Sequence, residues 1–574
     1  MCIRDRGLPV RCVVGGTYAR LVDAFDFSPA TKAWFEAAFP APTAAQTGGW
    51  DSIATGAHTL IHAPTGSGKT LAAFLSSIDR LLTTEGEGTR VLYISPLKAL
   101  AHDVERNLRA PLRGIRTTAE RLGLDELPDL DVAIRTGDTP QKERQRMLRH
   151  PPDILITTPE SLYLMLTSRH RETFRTVETV IVDEVHAVAA TKRGAHLALS
   201  LERLTELTDT EPQRSGLSAT QRPLETIGRF LGGGIPTDEG WEPRAVTIVD
   251  ATSGGPPDLE LDVRVTVDDM TNPPGELDDT GQPQRSIWPS VYPELLEAIR
   301  EERSTIVFAN SRRLAERICA ELNNLAGEEV ARAHHGSVSR TQRLEIEDAL
   351  KRGELPAVVA TSTLELGIDM GAVDRVLQVE SPASVASGLQ RVGRAGHRVG
   401  ETSRATVYPK HRGDLVVSTV VADRMRDGLV EETRIPANPL DVLAQQLVAA
   451  IAIDERHVDD LFDLVRRSAP FAGLSRGAFD ATLDMLAGRY PSDLFAELRP
   501  RVTWDRLSGE VTARPGAHRL AVSNPGTIPD RGNFRVTLPD GGRVGELDEE
   551  MVYESRQGDV FVLGSTAWKI TAIT

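Results

Sequence analysis

The chain is poor in the features that most directly announce a function. It has three cysteines, Cys2, Cys12 and Cys319, in 574 residues, too few and too scattered for a disulfide framework or a four-ligand zinc site. A reducing, cytoplasmic compartment is expected. It also lacks an excess of positive charge: 66 Lys and Arg against 82 Asp and Glu leave a formal net charge of −16. Any nucleic acid must therefore meet a local channel rather than a generally basic surface. The longest apolar runs, such as Leu447 to Ile453, fall far short of the ~20 residues that span a bilayer. The N-terminus has no signal-peptide apolar centre, and no membrane partner is expected. Aromatic residues make up only 5% of the chain, and its six tryptophans have no regular spacing, which assigns them to packing.

What is present is length and alternation. At roughly 100 to 200 residues per domain, the chain should hold three to five domains. Residues 1–16 show no sustained periodicity and end in Gly-Gly, so they read as an extension of uncertain native origin. From Tyr18 to about Pro236, the short apolar segments TLIHA, VLYIS, DILIT, TVIVD and RSGLSAT alternate with helical stretches, the rhythm of a parallel α/β sheet. Asp268 to Gln284 is rich in Pro, Gly and acidic residues and reads as a linker. A second series follows with STIVFAN, VARAHHG, PAVVATS and DRVLQVE. Beyond it, Asn438 and Pro439 predict an N-cap and first-turn proline for a helix through LDVLAQQLVAAIAI. Two further helices are expected at His457–Arg467 and after Ser475, followed by strands and turns from Val502 to an apparent strand running into Thr574.

The expected partition is an extension at 1–16, a first domain at 17–240, connecting strands and linker at 241–285, a second domain at 286–425, a winged helix at 426–500 and part of a β-rich domain at 501–574.

APTGSGKT, Ala63 to Thr70, follows an apolar strand and opens a helix on which Leu71, Phe74, Leu75 and Ile78 repeat at helical spacing. It reads as a phosphate-binding loop. Gly66 and Gly68 let backbone N–H groups turn toward phosphates, the helix N-terminus adds its positive dipole end, Lys69 balances the β/γ charge and Thr70 can hold Mg²⁺. Thr65 and Ser67 complete the expected ATP contacts, although Ala63 replaces the first glycine of the strict pattern.

VIVDEVHA, Val180 to Ala187, ends a buried strand with two adjacent carboxylates, at the sheet edge where ligands of open α/β sheets sit. Asp183 is the expected Mg²⁺ ligand, and Glu184 is placed to orient and deprotonate the attacking water.

With DEVH behind APTGSGKT, the chain resembles the core of superfamily 2 helicases. The remaining motifs stand in that family's order. PTAAQ, ending at Gln46, resembles the adenine-reading Q motif. SPLKAL, with Pro96 and Lys98, and TTPESL, with Thr158, resemble the strand-contacting motifs Ia and Ib, and SAT, at Ser218 to Thr220, the coupling motif III. In the second series, VFANSR with Asn310, ATSTLELGID with Thr361, Gly367 and Asp369, and QRVGRAGH with Gln390 and Arg394 resemble motifs IV, V and VI.

The resemblance implies two RecA-like domains, with ATP on the first and Arg394 reaching its γ-phosphate from the second. Lys69, Glu184, Gln390 and Arg394 are the implied catalytic residues. Gln46, Gly367 and Asp369 join the ATP contacts. Pro96, Lys98, Thr158, Asn310 and Thr361 are the implied strand contacts. Where many relatives end motif VI with a second arginine this chain has His397, followed by Arg398, so only one finger, Arg394, is carried over.

The segments SIWPSVYPELLEAI, ARPGAHRLAVSNPGTIPDRGNF and GELDEEMVYESRQGDVFVLGSTAWKIT narrow the likeness to the large helicase-related proteins, Lhr. That resemblance implies 3′-to-5′ movement on single-stranded DNA, unwinding of DNA duplexes and RNA:DNA hybrids, a role in DNA repair, and a strand contact at Ile528. It also implies a chain that continues beyond Thr574.

Taken alone, Thr158 fits the end of a strand, and Ile528 fits a turn-flanking core residue, the commoner case for an isolated apolar side chain. His334 and His335 fit core or groove positions better than metal ligands. An RNA helicase of the DExH group, and a nucleic-acid clamp with little turnover, remain alternatives, because short motifs meet mostly phosphate and sugar.

Overall fold

A computed structural model describes residues 25–573, apart from 65, 220, 238–239, 253–257, 271–272, 274, 278–282, 366–372, 397–401, 490–498, 529–532, 540–542 and 564–565. The apolar segments become two parallel sheets, as their burial on both faces requires. The first has seven strands in the spatial order Val132–Arg135, Ile154–Thr157, Val91–Ile94, Thr179–Val182, Gln213–Ser218, His58–His62 and Val246–Asp250. Because all are parallel, their C-terminal ends share one edge. The strands leading to DEVH, SAT and the phosphate loop are adjacent there, which gathers motifs far apart in the sequence.

The second sheet has six parallel strands in the order Leu259–Val263, Ser403–Tyr408, Arg375–Val379, Thr305–Phe308, Ala357–Ala360 and Ala331–His334. Motifs IV and V leave neighbouring strands. The stretch expected to hold connecting strands and a linker, 241–285, supplies an edge strand to each sheet, Val246–Asp250 to the first and Leu259–Val263 to the second. These edge strands are only partly buried, so they lack the continuous apolar run that marks a central parallel strand.

Three helices, Leu440–Ile451, Val458–Arg466 and Arg476–Leu486, pack with a small antiparallel sheet of Arg456–His457, Glu510–Ala513 and Val502–Trp504. Val502, Trp504 and Val511 share one core with Leu443, Leu461 and Phe479. The boundary expected at 500 therefore cuts through a single winged-helix core. Asn438 is not the N-cap of the first helix: Pro439 holds that position, and Asn438 has φ 49°.

The winged helix docks on the first domain. Gln446 is buried between them, donating to His196 O and Ser200 Oγ at 3.0 Å each and accepting from Arg203 at 2.9 Å. Two hairpins follow, Asn533–Thr537 with Arg543–Asp548 and Val560–Leu563 with Thr566–Lys569. The final strand stops at Lys569 rather than running to the end of the chain.

Candidate active site

The phosphate loop bends through two left-handed glycines, Gly66 at φ 82° and Gly68 at φ 77°. A Cβ on Gly68 would lie 2.6 Å from Gln46 Nε2. Gln46 is therefore packed directly against the loop, where its side-chain oxygen accepts the Thr43 N–H at 2.9 Å in a capping box. The Thr43 hydroxyl donates to Ser67 O at 2.7 Å, fastening helix Ala44–Ala54 to the loop. Lys69 and Thr70 open helix Lys69–Thr83. Thr65 lies outside the described residues.

Lys69 Nζ stands 3.5 Å from Glu184 Oε1, and both side chains are buried. Glu184 has φ 44°, a costly conformation for a residue with a side chain and one that tends to occur at functional sites. The turn sends its N–H back to Asp183 Oδ1 at 2.8 Å, while the Tyr93 hydroxyl donates to Asp183 Oδ2.

Burial drives Glu184 upward, but the charge of Lys69, and after it that of Arg394, outweighs it and leaves its carboxyl below the usual range. Burial, then the neighbouring Glu184 charge, pushes Asp183 up. Two adjacent carboxylates are thus split in character, with Glu184 the one held ionised.

Beyond Glu184 the contacts continue. His186 Nδ1 lies 3.5 Å from Glu184 Oε2, accepts the Ala219 N–H at 3.3 Å and meets Ser218 Oγ at 3.2 Å. The Gln221 amide donates to the same Ser218 hydroxyl. Burial pushes the His186 pKa down to about 4, so the ring is neutral near pH 7 and can accept at Nδ1. The DEVH histidine therefore joins motif II to motif III.

Ser67 Oγ, Lys69 Nζ, Glu184 Oε2, His186 Nε2 and Gln221 Oε1 are buried without a hydrogen-bond partner among the described residues. Buried polar groups are rarely left so, and this concentration of both donors and acceptors fits a triphosphate and its attacking water.

The donor set also fits Mg²⁺. Thr70 and Asp183 offer a hydroxyl and one carboxylate, and the described residues hold no cluster of three or more His, Cys, Asp or Glu. Mg²⁺ commonly binds through one or two carboxylates plus substrate phosphates and water.

Arg394 comes from the second domain. It is buried, donates to Glu365 O at 3.1 Å and lies near enough for its charge to lower Glu184. Its neighbour Arg391 donates to Glu365 Oε2, Asn310 Oδ1 and Gln378 Oε1, each at 3.0 Å, and lies over the Phe308 ring at 5.3 Å. Gln390 is half-buried on the same helix, Val385–Val392. Gly367, Asp369, His397 and Arg398 lie outside the described residues.

All but Ile528 of the expected strand contacts fall into two groups at sheet edges, three residues on the first sheet and two on the second. Pro96 and Lys98 follow the strand beside the one that precedes Thr158, and Asn310 follows the strand beside the one that precedes Thr361. Lys98 is exposed and paired with Asp138 at 2.7 Å; Pro96 and Thr361 are buried. Thr158 is buried at the start of helix Pro159–Leu166, its hydroxyl on Ser161 Oγ at 3.2 Å. Asn310 is engaged within its own domain, by Arg391 and by Ser381 O at 2.8 Å. Ile528 is 58% exposed, so it is not a core residue. His334 and His335 are buried against Glu347 and Glu316, at 3.0 and 2.8 Å.

The sequence reading did not single out Tyr93, Gln221, Glu365 or Arg391. For Tyr93 the available signal is a tyrosine inside a fully buried strand, whose hydroxyl must find a partner; Glu365 and Arg391 lie inside the segments that resemble motifs V and VI.

Three family models match the chain: DEAD/DEAH box helicase at residues 43–227, helicase conserved C-terminal domain at 290–399, and the winged helix domain of large helicase-related protein at 423–574. The chain belongs to the Lhr family of helicases. It is 56% identical over 588 residues to Lhr helicase/probable uracil glycosylase of Mycolicibacterium smegmatis, a match covering 96% of this chain and 38% of that protein. It is 52% identical over 598 residues to Lhr helicase/uracil glycosylase of Escherichia coli, again over 96% and 38%. This Lhr-family chain thus spans about 38% of the length of these two bacterial relatives.

Among solved structures, Mycobacterium smegmatis helicase Lhr bound to ssDNA and AMP-PNP superposes with TM-score 0.80 at 56% identity, over 92% of this chain and 65% of that one. The helicase MrfA bound to DNA shares the fold, with TM-score 0.68 at 20% identity, over 95% of this chain and 67% of that one.

Proposed function

We propose that the chain is the motor of an ATP-dependent translocase that moves 3′ to 5′ on single-stranded DNA and opens DNA duplexes and RNA:DNA hybrids, in DNA repair. The observation that carries this reading is the buried Lys69–Glu184 pair at 3.5 Å on the edge of the first sheet, set among buried donors and acceptors without partners among the described residues.

Backbone N–H groups of the loop and Lys69 hold the triphosphate. Glu184, kept ionised, accepts the proton of the attacking water, while Gln390 and Arg394 face the nucleotide from the second domain. Thr70 and Asp183 would hold Mg²⁺, which supplies charge neutralisation across the phosphates when bound. Arg394 meets the charge that builds on the transferred group, a contribution on the order of 10³ to 10⁵ in rate for such fingers, or about 4 to 7 kcal/mol. Since that contact exists only while the domains are apposed, hydrolysis is coupled to opening and closing of the cleft.

Strand contacts are assigned to Pro96, Lys98, Thr158, Asn310, Thr361 and Ile528, with Lys98 exchanging Asp138 for a phosphate. The smegmatis relative, solved with ssDNA and AMP-PNP, supports DNA and an adenine nucleotide as ligands here. Among the described residues no helix is long and apolar enough to cross a membrane.

The test is steady-state ATP hydrolysis with single-stranded DNA, single-stranded RNA or neither, alongside unwinding of 3′- and 5′-tailed duplexes. Stimulation by DNA and preference for the 3′ tail are expected. Stronger stimulation by RNA overturns the DNA assignment, preference for the 5′ tail overturns the polarity, and no stimulation by either overturns the motor.

A further inference from the structure

Between helix Arg412–Arg426 and the winged helix, a strap at residues 430–435 crosses from one parallel-sheet domain to the other. Val430 is buried in the core of the second domain, whereas Ile435 packs against that of the first. Between these anchors the strap touches both halves of the site.

On the first-domain side it meets Arg222. The Arg222 Nε donates to Val430 O at 2.6 Å, and the Thr433 N–H donates to Arg222 O at 2.7 Å. Arg222 directly follows Gln221, which bonds to Ser218, which in turn meets His186 beside Glu184.

On the second-domain side, the Glu431 carboxylate accepts the N–H of Val385 at 2.7 Å and of Ala386 at 3.2 Å. These are the first two N–H groups of helix Val385–Val392. They have no partner within the helix, and the adjoining positive dipole end favours an anion there. Ser384 caps the next N–H, that of Ser387, at 3.0 Å, so the first turn is fully held. Farther along, a Cβ at Gly388 would lie 2.6 Å from Met425 Sδ, which fixes the helix against its neighbour. Arg394 follows two residues after the helix ends.

We propose that Glu431 is a positioning residue for ATP hydrolysis. By clamping the start of helix Val385–Val392 it sets where Arg394 stands relative to Glu184, and Arg222 ties that setting to motif III. The inference rests on the chain being an ATP-hydrolysing motor.

The lever is short and stiff. An eight-residue helix is about 12 Å long, so a tilt of about 5° at its N-terminus moves its far end by about 1 Å. A misplacement of that size can cost on the order of 100-fold in rate. Glu431 itself is exposed and sits far from the phosphate loop in sequence and contacts, so its removal should disturb Arg394, and Gln390 on the same helix, without touching the nucleotide contacts of the first domain.

The experiment compares the full chain with Glu431→Ala, Glu431→Gln, Arg222→Ala, Arg394→Ala and the double variant Glu431→Ala/Arg394→Ala. It measures kcat and KM for ATP at saturating single-stranded DNA, with melting temperature as a check on folding. Glu431→Ala should lower kcat roughly 10- to 100-fold with KM within a few fold. Glu431→Gln, whose amide oxygen still accepts one N–H, should recover much of the loss. Arg222→Ala, which keeps the main-chain bond to Thr433, should lose less.

The deciding result is the double variant. If Glu431 acts chiefly through the finger, the double variant falls well short of the product of the two single losses, slower than Arg394→Ala alone by no more than the displacement of Gln390 adds, because residues acting as a unit are not additive. A double variant slowed by the product of the two single losses, or an unchanged kcat in Glu431→Ala, overturns the inference. A parent chain that hydrolyses no ATP on DNA overturns the motor reading instead. If Glu431→Ala does not fold, Arg222→Ala paired with Arg394→Ala carries the same test.

Discussion

The two parallel-sheet domains present similar edges to their cleft but differ in how the polar groups at the heart of each edge are held. Around the phosphate loop, Ser67 Oγ, Lys69 Nζ, Glu184 Oε2 and His186 Nε2 are buried without a hydrogen-bond partner among the described residues. Around motif VI, Arg391 is spent on Glu365, Asn310 and Gln378 at 3.0 Å each. Unpaired buried groups cost stability, whereas a satisfied network rigidifies. The first domain thus carries the cost of a site built to receive a substrate, and the second holds a lever steady. Substitutions on the two sides should separate activity from stability.

The largest effect on activity is expected from Lys69→Ala, which should abolish DNA-stimulated ATP turnover; because it strands the buried Glu184 carboxylate 3.5 Å away, melting is compared in Lys69→Met/Glu184→Gln, which removes both buried charges and should leave the melting temperature unchanged or raised. A clear fall in melting temperature in that double variant would place the pair among the structural groups and break the contrast. Arg394→Ala should lower turnover on the order of 10³-fold or more, with ATP affinity changed far less, in a turnover and nucleotide-binding comparison.

Arg391→Ala should show the opposite profile. It leaves Glu365, Asn310 and Gln378 without their shared donor, and breaking a buried charged contact of this kind costs about 3 kcal/mol or more. Melting should drop clearly, with nucleotide binding to the first domain retained in the folded fraction. Intact melting in Arg391→Ala would contradict the rigid-lever account.

Elements buried on both faces are legible in the sequence. VLYIS, DILIT and TVIVD yield strands fully buried at 91–94, 154–157 and 179–182, because a continuous apolar run leaves few alternatives. Edge strands are less legible: VARAHHG yields the edge strand Ala331–His334, but the other three edges escape the pattern. Val132–Arg135, Val246–Asp250 and Leu259–Val263 are short and half-buried, so period and composition do not separate them from connections.

The same divide holds at the site. Lys69, Asp183 and Glu184 are readable from local spacing and Arg394 only through the resemblance of its segment to motif VI; the order of the first sheet explains how the first three come to one edge. Tyr93 on Asp183, Arg391 on Glu365 and Glu431 on the helix N-terminus are long-range contacts, set by topology that no local pattern encodes.

A smaller effect concerns acid. Burial pushes His186 and His196, both in the first domain, down to about 4 from an ordinary value of 6.5. Between those values the unfolded chain binds protons that the folded chain refuses, so stability falls as pH drops from about 6.5 toward 4. Denaturant titrations across that range should show the decline, reduced in His196→Gln. An undiminished pH slope in that variant would remove His196 from the account. The smallest effect is expected from His397→Ala, which should leave turnover within a few fold of the parent. A loss matching that of Arg394→Ala would make His397 a second finger.

The most direct test of the account is Glu184→Gln assayed at saturating ATP and single-stranded DNA, together with its ATP affinity. The amide keeps the shape of the side chain and leaves Thr70 and Asp183 in place, but it cannot take a proton from water. ATP and DNA binding close to those of the parent, with turnover reduced to background, is the predicted result. Substantial residual turnover would contradict the assignment of Glu184 as the base and, with it, the reading of the cleft as an ATP-hydrolysing motor built on that residue.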